Sequence, residues 1–277
     1  MAFKSGFASI AGAPNVGKST FLNRVIGEKI TITSPKPQTT RFVISGVLTD
    51  ENSQIIFLDT PGIHTPKNNL GKRMVTGAFE ANKSSDIILF MIDAPSAFSE
   101  KNSDIIPALP HTAKIFMVIN KVDIFAKSQI LPIIAKYSEL HNFAHIFPIS
   151  AKDGTGVEAL ISAIRDELPE GEPYFPSDTL TDQPERVIVS EFIREKCMRL
   201  LGDEIPFGIS VEIEEFDDAH TPCRIRATIL CAKESHKSII IGKNGAMIKA
   251  IGTRAKASTE KLLGTKVHLD LWVKHKS

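Results

Sequence analysis

Apolar runs rich in Ile and Val recur through the first 167 residues: Phe7–Ala11, then 42–48, 55–58, 87–92, 115–119 and 146–149. Amphipathic stretches separate them near 68–84, 99–109, 126–141 and 155–167. That alternation predicts an α/β domain with a mostly parallel sheet and helices on both faces. Ligands of such sheets sit at the carboxyl ends of strands, so chemistry is expected directly after the apolar runs. Residues 168–184 hold four prolines and follow neither period. They read as an extended linker lying over the surface of the first domain.

From 185 the pattern changes. Ile188, Phe192, Ile193, Cys197, Leu200 and Leu201 fall at helical spacing. Two alternating runs follow, Ile209–Ile213 and Arg224–Ile229. Helices near 235–241 and 246–263 and a strand at 266–274 complete the chain. The order α-β-β-α-α-β predicts a small α+β domain over 185–277, behind a first domain at 1–167.

Composition adds limits. Of 277 residues, 42% are hydrophobic and 23% charged, the balance of a soluble globular protein. No apolar run approaches the roughly 20 residues a membrane span needs, and Met1-Ala2-Phe3-Lys4 opens no signal-peptide core. Cys197, Cys223 and Cys231 lack metal-ligand spacing and read as reduced thiols in a cytosol. Charge is uneven: residues 233–277 carry ten Lys and Arg against three Asp and Glu. A basic segment of this kind suits contact with a phosphate backbone.

Directly after the first strand comes Gly12-Ala13-Pro14-Asn15-Val16-Gly17-Lys18-Ser19, followed by Thr20 and a helical run. This fits G-x-x-x-x-G-K-[ST] in the required strand–loop–helix context. The two glycines let backbone N–H groups turn inward around phosphate oxygens, and the new helix points its positive end at them. Lys18 reaches the β- and γ-phosphates, and the Ser19 hydroxyl suits a Mg²⁺ ion. Behind the third strand, 40 residues after Ser19, stands Asp59-Thr60-Pro61-Gly62-Ile63. A carboxylate there faces the metal side of the site, and Gly62 offers an unshielded N–H to a γ-phosphate.

Asn120-Lys121-Val122-Asp123 follows the run at 115–119. Guanine presents an N1–H beside an exocyclic amine, and one carboxylate accepts from both; adenine offers no such pair. Asp123 therefore favours guanine. Asn120 bridges base and phosphate loop, and the Lys121 stem lies over the ring. Ser150-Ala151-Lys152 follows the run at 146–149 and offers N–H groups to the guanine O6, with the Lys152 stem on the other ring face. Between phosphate loop and second strand, Ser34-Pro35-Lys36-Pro37-Gln38-Thr39-Thr40-Arg41 reads as a mobile segment. A threonine there, Thr40 in preference to Thr39, is expected to close on Mg²⁺ and the γ-phosphate. Lys18, Thr40 and Gly62 are the candidate catalytic groups.

These motifs, in this order, resemble a translation-factor-class GTPase. Asn15 with Thr39-Thr40-Arg41 is similar to its Era-like branch. The resemblance implies a P-loop GTPase domain that cycles between GTP and GDP with Mg²⁺, and it implies K⁺ held beside the phosphates by Asn15. Ile63 departs from the Ras-type pattern, which places a water-orienting Gln after this Gly. Ile63 cannot hydrogen-bond a nucleophile, so slow intrinsic turnover is expected. His64, next along, is disfavoured as a base.

In the C-terminal domain, Gly242-Lys243-Asn244-Gly245 joins two helices. Glycines at both ends let the backbone approach a sugar-phosphate chain, and Lys237, Lys243 and Lys249 add charge. Ile240, Ile241, Ile248 and Ile251 are expected to line a groove for unstacked bases. The region resembles a type II KH domain. Together the two resemblances imply an rRNA-binding GTPase of small ribosomal subunit assembly. They imply single-stranded rRNA near the 3′ end of the small-subunit RNA, a cytoplasmic location and peripheral contact with the inner membrane. Two other readings stay open: an RNA-binding module with a structural nucleotide, and a GTPase acting on the large subunit or on tRNA modification.

Overall fold

The computed structural model describes residues 2–63, 69–110 and 112–276; His64 lies outside them. The chain divides into two units, Met1–Thr31 with Thr40–Asp182, and Ile32–Thr39 with Gln183–Ser277.

The first unit follows the expected alternation: β1 (Lys4–Ala11), α1 (Lys18–Ile26), β2 (Ile44–Thr49), β3 (Ser53–Asp59), α2 (Asn69–Lys83), β4 (Ile87–Asp93), α3 (Glu100–Ser103), β5 (Lys114–Asn120), α4 (Ile130–Leu140), β6 (His145–Pro148) and α5 (Val157–Glu167). The sheet order is β2-β3-β1-β4-β5-β6. β2 runs antiparallel to β3, and every other pairing is parallel. β4 is an unbroken apolar run because both its faces are covered. Ile87, Leu89 and Met91 enter one core with β1, α1 and α5. Ile88, Phe90 and Ile92 enter the other with Ile133 and Tyr137 of α4. The parallel register brings Asp59, Asp93 and Asn120 to one edge of the sheet.

Residues 168–182, expected as a linker, are bonded along this unit. Gln54, fully buried, accepts from the N–H groups of Tyr174 and Phe175 at 2.7 and 3.0 Å and donates to the Phe175 carbonyl at 2.8 Å. The Val47 N–H donates to the Leu180 carbonyl at 2.9 Å. The prolines keep the segment extended, and an extended backbone satisfies its polar groups against a strand and a buried amide.

The second unit contains α6 (Glu185–Leu200), β7 (Ser210–Asp217), β8 (Cys223–Cys231), α7 (Glu234–Ile241), α8 (Ala246–Leu263) and β9 (Val267–His275). β8 lies centrally, antiparallel to β7 and parallel to β9. Alternation along β8 sends Cys223, Ile225, Ala227, Ile229 and Cys231 into the core with α6 and α8. Residues 32–39, expected as a loop of the first domain, group here instead, because Ile32 packs on Ile188 and Phe192 of α6. All three cysteines are buried free thiols, and burial pushes the Cys197 thiol up to about 12.

Candidate functional site

The phosphate loop runs from the end of β1 into α1. Gly17, at φ 108°, caps the helix in the left-handed region. A Cβ there would fall 2.1 Å from Asn120 Nδ2, so only glycine fits. Asn15, at φ 66°, makes the second left-handed step of the loop. The Lys18 ammonium donates to the carbonyls of Gly12 at 3.1 Å and Ala13 at 2.9 Å. Ile63 N–H donates to the Gly12 carbonyl at 3.1 Å, which fixes the Asp-Thr-Pro-Gly turn against the loop, with Gly62 packed on Pro14. Thr60, by contrast, spends its hydroxyl on the Ile10 carbonyl at 2.8 Å and is fully buried. It ties β3 to β1 and does not face the loop's interior. Ile63 packs its side chain against the core that includes Ile133 and Tyr137 of α4.

Ser19, Thr40 and Asp59 converge. Ser19 Oγ donates to Asp59 Oδ2 at 2.6 Å, and Thr40 Oγ1 lies 3.0 Å from Ser19 Oγ and 3.5 Å from Asp59 Oδ2. Thr39 turns away and donates to the Lys36 carbonyl at 2.7 Å. Of the two threonines, Thr40 is the one brought to the site. Asp59 Oδ1 is buried with no hydrogen-bond partner. Two hydroxyls beside a carboxylate with one unused oxygen is a hard-oxygen donor set that fits Mg²⁺. Burial pulls the Lys18 ammonium down to about 8, against the pull of Asp59. Burial pushes the Asp59 carboxyl up to about 6, opposed by Lys18 and by the Ser19 and Thr40 hydroxyls. Phosphate oxygens near Lys18 and a cation near Asp59 would each favour the charged form.

On the base side, Asn120 Nδ2 donates to the Val16 carbonyl at 2.8 Å, and its Oδ1 accepts from Ala151 N–H at 2.9 Å. Lys121, left-handed at φ 64°, extends its ammonium to the Asn15 carbonyl at 2.8 Å and to Asp93 at 3.2 Å. Its stem therefore crosses the mouth of the site. Val122 N–H is held by the Ile149 carbonyl at 3.2 Å. Asp123 is exposed beyond it, with its carboxylate accessible to a base. Ser150 is fully buried and its hydroxyl caps the turn through Asp153 N–H at 3.2 Å. Arg24 of α1 donates to the carbonyls of Ala151, at 3.3 Å, and Lys152.

In the second unit, α7 and α8 are joined by the turn Gly242–Gly245. Gly242 has φ 73°, and a Cβ there would lie 2.7 Å from Met247 Cβ, so the two helices approach through it. Lys243, Asn244 and Lys249 are exposed, and Lys237 is half-buried beside Glu234. A groove of about 300 Å³ lies between α8 and β9, lined by Ile248, Lys249, Gly252, Lys256, Leu269, Asp270 and Leu271 among others. Ile248, half-buried, lines it, while Ile241, also half-buried, packs against the core of the unit. Ile240 and Ile251, expected in the groove, are fully buried in the core. Ile240 takes the inward face of α7 and Ile251 that of α8, while Ile239, 49% exposed, takes the outer face of α7.

A family model described as 50S ribosome-binding GTPase matches residues 7–121, and one described as KH domain matches 204–277. GTPase Era of Ruminiclostridium cellulolyticum is 48% identical over 278 residues, spanning 100% of this chain and 93% of its own. GTPase Era of Geobacter metallireducens is 49% identical, covering 98% and 92%. This chain belongs to the Era family of GTPases. A crystal structure of Era with MgGDPNP and nucleotides 1506–1542 of 16S ribosomal RNA superimposes with a TM-score of 0.94 at 43% identity, covering 99% of this chain and 94% of that one. A single-substitution variant of Aquifex aeolicus Era bound to GDP and AlF4⁻ gives 0.94 at 42% identity, with the same coverage of 99% and 94%.

Three residues of this Era-family chain escaped the motif reading. Asp93 sits at a strand end beside Asn120, where the carboxyl-edge rule points, but it belongs to no short motif. Asn23 of α1 accepts from the N–H groups of Ile30 and Thr31 at 3.0 and 2.9 Å and so shapes the chain leaving the helix. Arg24 reaches across 127 residues of sequence to the base loop, a contact no local pattern encodes.

Proposed function

We propose that this Era-family GTPase is a nucleotide-controlled binder of single-stranded rRNA, near the 3′ end of the small-subunit RNA, acting in assembly of that subunit. The observation that carries the reading is the exposed Lys243–Asn244 tip between two glycines, followed along α8 by a groove of about 300 Å³ lined by Ile248, Leu269 and Leu271 with Lys249, Lys256 and Asp270. The relative solved with a 16S fragment supports the choice of RNA.

In this reading the loop Gly12–Thr20, the turn Asp59–Ile63, Asn120–Asp123 and Ser150–Lys152 hold the guanine nucleotide. Lys18 binds and neutralises phosphate, and Gly62 presents its N–H. Ser19, Thr40 and Asp59 would hold Mg²⁺, which when bound supplies positive charge to the phosphates. Asn15 is proposed to help hold K⁺. Lys237, Ile241, Lys243, Asn244, Ile248 and Lys249, with Gly242 and Gly245, would meet the RNA. Nucleotide state and RNA affinity are proposed to be linked. Residues 1–167 are read as the GTPase domain and 185–277 as the RNA-binding domain, joined by 168–184, while 32–39 group with the second unit and the linker up to Asp182 with the first. No helix among the described residues is long and apolar enough to cross a membrane; a cytoplasmic site with peripheral contact at the inner membrane face is carried by the family resemblance alone.

Crosslinking the bound RNA tests this. Recovery of the small-subunit 3′ end, with affinity differing between GDP and a GTP analogue, is expected. Recovery of large-subunit RNA or tRNA would overturn the assignment, and equal affinities would make the two activities independent. Equal GTPase rates in K⁺ and Na⁺ for wild type and Asn15→Ala would remove the K⁺ site.

A further inference from the structure

Three consecutive charged side chains of α6 are buried: Arg194, Glu195 and Lys196, at 2%, 0% and 8% exposure. Successive residues of an α-helix point about 100° apart, so no single face holds all three. One side of α6, bearing Val189, Ile193 and Cys197, packs into the core of the second unit. Another side meets residues 32–39 of the same unit.

The contacts to that segment are charged and directional. The Glu195 carboxylate accepts the Thr33 N–H at 3.1 Å. Arg199 donates to the Thr33 carbonyl at 2.7 Å and its hydroxyl at 3.0 Å, and is itself paired with Glu195 at 3.1 Å. Arg194, whose Nε donates to Glu191 at 2.7 Å, donates from its other end to the Thr39 carbonyl. Lys36 donates to the Leu201 carbonyl. Both ends of the segment are thus clamped by charge-assisted hydrogen bonds. The next residue is Thr40, whose hydroxyl stands beside Ser19 and Asp59.

We infer that Arg194 and Glu195 are positioning residues for Thr40: by gripping Thr39 and Thr33 they hold the segment in the form that delivers Thr40 to the triphosphate–metal site. The driving force is in α6 itself. A buried carboxylate and guanidinium are costly unless their hydrogen bonds are complete. Here part of that complement is the main chain at 33 and 39. Any arrangement that withdraws the segment leaves these charges short of partners, so the helix favours one state over the other. The inference rests on reading Thr40 as the metal-facing hydroxyl of the triphosphate state.

The test compares affinities of the full chain for Mg·GDP and for a non-hydrolysable Mg·GTP analogue. Arg194→Met is expected to lower the analogue-to-GDP affinity ratio about 5- to 10-fold, with GDP affinity changed by less than about twofold. In a Thr40→Ala background it should cause no further loss. Amide exchange over 32–40 should accelerate while that of β8 stays unchanged, which excludes general unfolding. Arg199→Ala, at a half-exposed side chain, should act in the same direction by about 2- to 3-fold, and it decides the matter if Arg194→Met does not fold. Equal losses for GDP and analogue, or multiplicative effects of Arg194→Met and Thr40→Ala, overturn the inference. If Thr40→Ala lowers the ratio and the α6 variants do not, the inference fails alone. If Thr40→Ala leaves the ratio unchanged, the metal reading fails and takes the inference with it.

Discussion

Asn120 and Val16 are joined by a buried hydrogen bond of 2.8 Å, while the other end of the Asn120 amide holds Ala151 N–H at 2.9 Å. One side chain therefore braces the phosphate loop, β5 and the loop after β6 against each other. Replacing it with alanine strands a buried carbonyl and a buried N–H, at a cost of about 2–4 kcal/mol. Asn120→Ala should lower the thermal midpoint of the nucleotide-free protein as well as its GDP affinity. A normal midpoint with weakened binding would show that Asn120 serves the ligand only.

Asp123 is exposed just beyond β5, and in the proposed function its carboxylate accepts two donors from guanine. A carboxamide in its place would present a donor beside an acceptor. Asp123→Asn should reduce GDP affinity on the order of 100-fold and favour xanthosine diphosphate, whose ring carries a carbonyl where guanine has the amine. Titration with both nucleotides reads this directly; an unchanged order of preference would remove Asp123 from base recognition.

Asp93 holds the Lys121 ammonium at 3.2 Å in a pair that is 13% and 33% exposed. Losing a partly buried partner of this kind is worth about 1 kcal/mol. Asp93→Asn should therefore raise KM for GTP roughly fivefold with kcat unchanged, because in the proposed function Lys121 serves the base and not the reacting phosphate. A fall in kcat at constant KM would contradict that role.

Lys243 and Lys249 project from the Gly242–Gly245 turn and the start of α8. Each alanine substitution should weaken RNA uniformly across sequences and reduce the slope of log affinity against log salt by about 0.7, the value for one phosphate on a single strand. Affinity measured across a salt series gives the slope, and a sequence-selective loss would indicate base contact instead.

Asp50 turns the chain between β2 and β3. Its partial burial would raise its pKa, but N–H groups of Asn52 and Ser53, the Ser53 hydroxyl and Arg165 together hold it below the usual carboxylate range. A carboxyl depressed in the folded state contributes stability above its unfolded pKa, about 4, and loses it as pH falls through the folded value. Asp50→Asn should cost about 1 kcal/mol at pH 7, and the difference from wild type should shrink below about pH 4. A gap that stays constant far into the acid range would mean the carboxylate charge is not what matters.

Most strands and helices of both units were legible because each carries a period; the stretch expected at 99–109 forms α-helix only at the short α3, Glu100–Ser103. The candidate nucleotide site stood out for a related reason: its residues sit at strand ends in fixed short motifs. What resisted reading was anything that depends on a partner distant in sequence. Ile240 and Ile251 looked like groove residues, since nothing local says which side of α7 and α8 faces β8. The sequence favours Thr40 over Thr39, but not through the contact that separates them, the Arg194 guanidinium on the Thr39 carbonyl. The run Arg194-Glu195-Lys196 carries no local mark of burial, and only the segment 32–39 laid over it accounts for those charges being inside.

The strap of residues 168–182 also has a bearing on how the first unit survives by itself. β2 is a border strand, with outward N–H and C=O groups that any passing chain could pair with. Leu180 meets Val47 and Thr181 meets the Ser45 carbonyl at 2.7 Å, so part of that border is already taken. A fragment cut at 167, where the last helix ends, would bare it and invite self-association; one carried on to 182 keeps its own guard rail.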